Sequence, residues 1–107
     1  MIHVLATIEL HPGTRDAFLS ELSRVAPQVR AEDGCIEYGA TIDVASGLPA
    51  QVPVRPDGVI VVEKWLNLDA LSAHLGASHM RAYRERVKAF VIRTTLQVLA
   101  PVDEATR

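Results

Sequence analysis

Four segments of the chain carry the hydrophobic patterns of β-strands. Apolar and polar residues alternate over 2–10, and apolar residues are frequent over 35–44, 59–66 and 91–99. A period of two, or a short apolar run bounded by Gly, Pro or Asp, is typical of strands. The segment 59–66 is the clearest of the four, because it opens with four β-branched residues in a row.

The stretch after the first strand has helical periodicity. Thr14 can cap its N-terminus, and Gly34 is a candidate stop, since glycine readily takes the left-handed backbone conformation. Pro27 lies inside the pattern and predicts a kink in the last turns. The apolar residues that recur at helical spacing are Phe18, Leu22, Val25 and Val29.

Two shorter helices are predicted between the third and fourth strands. Asn67 or Asp69 can open the first, which ends at Gly76, and Ser78 can cap the second. The buried stripe of the second helix is predicted to be Met80, Tyr83, Val87 and Phe90.

The order strand, helix, strand, strand, helix, strand is the ferredoxin-like βαββαβ arrangement of the α+β class. It predicts one domain over 1–107, with an antiparallel sheet and helices on one face. The long Gly- and Pro-rich loop over 45–58 is open to two interpretations, a lid over a pocket or a contact with a partner subunit. Residues 102–107 are expected to be a frayed tail.

The face of the sheet away from the helices is unusually apolar. Val59 and Val61 point to one face of the third strand, yet Ile60, Val62 and Leu66 point to the other. Helices can cover only one face, so a second subunit is expected to cover the other. The chain is therefore predicted to form a homodimer.

Composition and charge narrow the function classes. The net charge of -2 and the lack of any Lys or Arg cluster argue against binding to nucleic acid or to an anionic membrane surface. No signal-peptide pattern is visible, and no apolar run reaches the roughly 18 residues that a membrane span needs. Cys35 is the single cysteine, so no internal disulfide points to an oxidising compartment. Together these features predict a cytoplasmic protein with neither nucleic-acid nor membrane partners.

The candidate chemistry lies within 63–83, which contains the only Trp and two of the four His. His74 and His79 would be about 140° apart on a continuous helix, but the break at Gly76 can bring both rings to one point. Glu63 would be the third ligand of a zinc site. We predict no metal, because the His spacing is not the i, i+4 pair of helical zinc sites and no Cys lies near. The alternative is that each His is half-buried and hydrogen-bonds a neighbour.

Glu63 follows four apolar residues and lies on the inward face of the third strand. A carboxylate in that position must be paired, or its pKa must be raised by desolvation. Pairing with His74 or His79 would make a general base. Pairing with Arg81 or Arg84 at the sheet edge would be purely structural.

Aromatic residues complete the candidate pocket. Trp65 and Tyr38 are candidate walls for a flat, partly apolar ligand, although such rings are more often plain core residues. The sequence has no phosphate-binding or dinucleotide motif and no readable Ser–His–Asp or Cys–His arrangement, and Cys35 stays open as a reactive thiol. The residues offer acid–base groups and an apolar pocket without a cofactor motif.

Several short motifs of the chain occur together in one family. They are the segment 4–8 followed by Pro12-Gly13, the turn 32–35, Glu63-x-Trp65, and Leu71-x-x-His74 followed by 79–83. Together they resemble the antibiotic biosynthesis monooxygenase family, and within it most closely the bacterial quinol monooxygenases. The resemblance runs from about residue 2 to Pro101, nearly the whole chain.

The resemblance implies a dimeric α+β barrel with one pocket per subunit between sheet and helices. It also implies oxidation of a quinol or hydroxylated aromatic by O2, with no metal, flavin or haem cofactor. Carried onto this sequence, it predicts two sets of residues. The catalytic set is His74, His79 and Glu63, and the substrate-binding set is Trp65, Tyr83 and, from the pocket argument, Tyr38.

There are two alternatives to this predicted function. A haem-degrading branch of the same superfamily uses an Asn, a Trp and a His. This chain has Thr7, His74 and Arg84 at those places, so haem degradation is not expected. A non-enzymatic ligand-binding or stress-linked module would have the same pocket, and O2 consumption with a quinol separates the two.

Overall fold

Residues 1–105 are described by a computed structural model, in which one sheet carries helices on one of its faces. The strands are β1 (Ile2–Leu10), β2 (Cys35–Thr41), β3 (Gly58–Trp65) and β4 (Val91–Leu99). The helices are α1 (Arg15–Arg30), α2 (Leu68–Leu75), α3 (Ser78–Val87) and α4 (Val102–Ala105). The sheet order is β2-β3-β1-β4, and each neighbouring pair is antiparallel. The predicted ferredoxin-like α+β fold is confirmed, with a sheet that stays open within this chain.

The ends of three elements differ from the prediction. β2 stops at Thr41, because Asp43 turns to pair with Arg55 at 2.8 Å and the chain enters the loop. α3 stops at Val87, so Phe90 packs on the core from outside the helix. Of the segment predicted to be a frayed tail, 102–105 form the short helix α4, and 106–107 lie outside the described residues.

The predicted helix caps are only partly right. Asn67 caps α2, because its side-chain oxygen accepts from the Ala70 amide at 2.9 Å. Thr14 occupies the N-cap position of α1, but its hydroxyl donates to the His11 carbonyl at 2.8 Å instead. Ala77 rather than Ser78 is the N-cap of α3. α1 continues through Pro27 to Arg30.

The core lies between the sheet and the helices. Alternate residues of β1 and β3 are buried there. In β3 these residues are Val59, Val61, Glu63 and Trp65. α1 adds its predicted stripe, and α2 and α3 add Leu71, Met80, Tyr83 and Val87. The period-two pattern of β3 therefore places Glu63 inside an apolar core.

Gly34 fixes the turn between α1 and β2 against α2. Its φ of +82° is unfavourable for other residues, and a Cβ on it would lie 2.6 Å from the Cβ of Ala70. The carbonyl of Gly34 accepts from the Leu66 amide at 2.8 Å, which joins the turn to the end of β3. This close approach holds Glu32, two residues earlier, beside α2.

The loop over 42–57 is held by its own side chains. Asp43 accepts from the backbone and guanidinium of Arg55, and these bonds lower the pKa of Asp43 to about 2. Residues 53–57 line a groove with Thr7 and Ile60, near the ends of β1 and β3. Within the described residues the loop therefore borders this groove and not the cavity described next.

Candidate functional site

A cavity of about 480 Å³ lies between the sheet and α3. Its inner wall is buried and largely apolar, and includes Ile8, Phe18, Val61, Met80 and Val87. Its mouth is formed by exposed residues of two elements, which are Arg84 and Lys88 at the end of α3 and Thr94 and Leu96 on β4. The size and lining suit a small, mainly apolar ligand.

Glu63 supplies a carboxyl group to the inner wall. Its Oε1 accepts a hydrogen bond from Trp65 Nε1 at 2.9 Å. Burial raises the pKa of Glu63, while the Trp65 bond and the nearby His74 oppose that rise. The structural alternative, an ion pair with Arg81 or Arg84, is wrong, since these donate to the carbonyls of Gly76 and Leu75.

His74 sits between two carboxylates and is almost fully buried. Its Nδ1 is 3.0 Å from Oε2 of Glu32, and its Nε2 is 4.0 Å from Oε1 of Glu63. Its ring stacks on Trp65 with centroids 4.6 Å apart, and Tyr38 meets its edge at 5.6 Å. These contacts fix the orientation of the imidazole at the cavity wall.

His79 reaches the same carboxylate from the other side of the α2–α3 break. Its Nε2 lies 2.7 Å from Oε2 of Glu32. The break at Gly76 does bring the two rings together, as the sequence indicated, but they meet on Glu32 and not on Glu63. Among residues 1–105, no group of three or more His, Cys, Asp or Glu side chains has the arrangement of a metal site.

Two tyrosines place phenol groups at the cavity. Tyr38 and Tyr83 both line it, and Phe18 meets Tyr83 edge to face at 6.2 Å. Burial raises the pKa of both phenols, with the Glu63 carboxylate adding to the effect. Both hydroxyls therefore stay neutral and can donate hydrogen bonds at neutral pH.

The structure thus sorts the predicted residues into two positions. Glu63, His74, Tyr38 and Tyr83 belong to the cavity wall, whereas Trp65 and His79 lie behind it and are hydrogen-bonded to Glu63 and Glu32. Sequence reasoning missed Glu32 as a member of the site. The only available signal was its place in the 32–35 turn that contributes to the family resemblance.

The stability of the fold should depend on the ionisation of Glu63. A raised folded-state pKa means that its contribution is fully present below the unfolded pKa near 4.5 and is lost as pH rises through the folded pKa. We therefore expect Glu63→Gln to leave Tm almost unchanged at acid pH and to raise it at about pH 8. Each unit of pKa shift corresponds to about 1.4 kcal/mol.

Thermal unfolding of both proteins at about pH 4 and about pH 8 tests this dependence. A Glu63→Gln protein that unfolds at a lower temperature than wild type at the higher pH would contradict it. Glu37→Gln is the matched control, because Glu37 lies exposed on β2 in an ion pair with Lys64.

The ferredoxin-like sheet, with an apolar cavity lined by acid–base groups under its helices, places the chain among the small α+β proteins of this fold. Residues 1–86 match the model of the antibiotic biosynthesis monooxygenase family. The chain belongs to this family, and the resemblance seen in its motifs is confirmed.

Individual relatives agree over nearly their whole length. The chain is 36% identical over 103 residues to YgiN of Escherichia coli K12, described as a probable quinol monooxygenase, covering 94% of this chain and 98% of that protein. Rv0793 from Mycobacterium tuberculosis has a TM-score of 0.75 at 30% identity, with 97% of each chain covered. The structure of a protein from Caulobacter crescentus, described as a putative antibiotic biosynthesis monooxygenase, has a TM-score of 0.79 at 22% identity, covering 94% of this chain and 89% of that one. At this identity the comparison shows a shared fold alone. In the part of the chain that the structure describes, no helix has the length and apolarity to cross a bilayer.

Proposed function

We propose that this protein is a cofactor-independent monooxygenase that oxidises a quinol or a related hydroxylated aromatic with O2. The observation that carries the proposal is the Glu63–His74 pair at the buried wall of an apolar cavity. It is supported by membership of the family and by the similarity to a relative described as a probable quinol monooxygenase.

The chemistry asks little of the protein beyond binding, proton transfer and desolvation. A quinol that loses a hydroxyl proton is electron-rich enough to transfer an electron to O2. One oxygen atom then enters the ring and the other leaves as water, while the quinol becomes a hydroxylated quinone. The four electrons that O2 accepts all come from the quinol, so no added reductant is needed.

The proposed roles follow from position in the cavity. His74 and Glu63 are the acid–base groups, because both line the wall and lie 4.0 Å apart. Tyr38 and Tyr83 would bind the ring and its oxygen atoms through neutral hydroxyls. Trp65 would act through its bond to Glu63 and its stacking on His74.

We also propose that the protein works as a homodimer in the cytoplasm. The outer sheet face carries Leu5, Ile60, Val62 and Leu99, of which Leu99 is 44% exposed. A second copy of the chain is the partner that a symmetric interface of this kind would fit. Size-exclusion chromatography with light scattering should give the mass of a dimer for wild type and of a monomer for Val62→Lys. A monomer mass for wild type would contradict the proposed dimer.

The activity is tested by O2 uptake of the purified protein with a reduced naphthoquinone, corrected for autoxidation. Saturable uptake in the presence of a chelator, with no added flavin or haem, supports the proposal. Without uptake across several quinols by folded protein, the alternative of a ligand-binding module would take its place. Ligand-induced stabilisation would then remain the expected observation.

A further inference from the structure

The carboxylate of Glu32 joins the two histidines of the site, and the roles proposed so far leave it without a function. His74 Nδ1 lies 3.0 Å from its Oε2 and 3.2 Å from its Oε1. His79 Nε2 lies 2.7 Å from its Oε2. Three side chains, from the α1–β2 turn, α2 and α3, therefore form one hydrogen-bonded row.

This row leads from solvent to the cavity. The side chain of His79 is 20% exposed, that of Glu32 is 14% exposed, and that of His74 is 2% exposed. His74 is itself part of the cavity wall. The outer end of the row can exchange protons with water, and the inner end faces the cavity.

The row also determines which nitrogen of His74 carries a proton. An ionised carboxylate only accepts hydrogen bonds, so the Nδ1 that faces Glu32 must be the protonated nitrogen of a neutral ring. The lone pair of Nε2 is then left on the side of Glu63, whose Oε1 lies 4.0 Å away. In this tautomer His74 can take a proton from a group in the cavity.

We propose that Glu32 is a positioning residue that fixes this tautomer of His74 and passes the substrate proton out to His79. The inference rests on the proposed function. The quinol hydroxyl gives its proton to Nε2 of His74, and the Nδ1 proton moves to Glu32. At rest His79 donates its Nε2 proton to the ionised Glu32. Because its side chain is 20% exposed, His79 can exchange this proton with water for one on Nδ1. Nε2 of His79 then accepts the proton from Glu32, and the Nδ1 proton leaves to water. No step moves an electron.

The alternative to this relay is a purely structural role for Glu32. Its two bonds also tie α2 and α3 to the α1–β2 turn, so its loss is expected to lower Tm in either case. Only the relay predicts a change in proton transfer at unchanged substrate binding. A pH profile will report the row together with the titratable and charged groups near it. These groups are Cys35, Tyr38, Glu63, His74, His79 and, beside Cys35, Arg30.

The deciding experiment compares Glu32→Gln with wild type in the O2-uptake assay with reduced naphthoquinone. Gln keeps the shape and can still accept from His74, but it cannot carry a proton between the rings. We expect kcat to fall at least about tenfold with KM within about twofold, and the solvent deuterium isotope effect on kcat to increase. Glu85→Gln, an exposed carboxylate on α3, is the matched control and should match wild type.

A second variant tests the outer end of the row. His79→Ala should lower kcat about tenfold and should recover with added imidazole, because this position is open to solvent. The relay is overturned if Glu32→Gln has wild-type kcat throughout the pH profile, or if its loss of rate equals its loss of folded protein.

The tautomer is read independently of turnover by nitrogen-15 NMR of the imidazoles. Neutral His74 protonated on Nδ1 supports the inference, and neutral His74 protonated on Nε2 overturns it. If wild type takes up no O2 with any quinol, the proposed function fails, and this NMR measurement still decides the role of Glu32.

Discussion

Glu63→Gln is expected to lower kcat about a hundredfold while KM changes little, because general acid–base groups contribute about 10²- to 10⁴-fold. The amide has the shape of the carboxyl group, and its oxygen can still accept from Trp65 Nε1. The variant therefore removes proton transfer and leaves the wall of the cavity in place. Steady-state O2 uptake with a reduced naphthoquinone measures both constants.

The same substitution is expected to stabilise the protein at neutral and higher pH, because burial raises the pKa of Glu63. Slower turnover with a higher Tm is the combination that a functional buried carboxylate predicts. Wild-type kcat in Glu63→Gln would remove Glu63 from the mechanism. Glu37→Gln again provides the control, with unchanged kcat and Tm expected.

Trp65→Ala is expected to have the largest effect on stability. The side chain is 0% exposed, and truncation of a buried Trp costs about 3–5 kcal/mol. The variant also loses the donor to Glu63 and the ring on which His74 stacks. Denaturant unfolding should be followed by circular dichroism, since this substitution removes the only Trp of the chain.

Trp65→Phe separates the packing of this ring from its hydrogen bond. It keeps much of the buried surface but leaves Glu63 without the indole donor, so we expect a loss of roughly 1–3 kcal/mol. Loss of that bond should raise the pKa of Glu63 further and move the rate profile to higher pH. Leu68→Ala, at an exposed position at the start of α2, should change stability by less than about 0.5 kcal/mol. Equal effects of Trp65→Ala and Leu68→Ala would contradict the argument.

The fold followed from the sequence because its patterns are local. Alternation over β1 and β3 gave both the strands and the face on which Glu63 is buried. The strand order and the antiparallel pairing came from the order of elements, which few topologies accommodate. The errors lie where a single contact decides the outcome, as for β2, which ends early because Asp43 pairs with Arg55.

The site was predicted only in part, since side-chain partners depend on distant elements. The sequence indicated that His74 and His79 converge, yet their common partner is more than 40 positions away in the chain. Glu32 carries no pattern of its own, and only the close approach of Gly34 to Ala70 puts it beside α2.

The sequence by itself determined the family, the ferredoxin-like fold and the burial of a carboxylate next to the Trp, because these depend on periodicity and on motifs within single elements. The tertiary structure decided which groups touch. It placed His74 between Glu63 and Glu32, put Trp65 and His79 behind the cavity wall, and directed the 42–57 loop to a separate groove. The reason is physical, since hydrogen bonds and packing act over a few ångströms in space, whatever the separation along the chain.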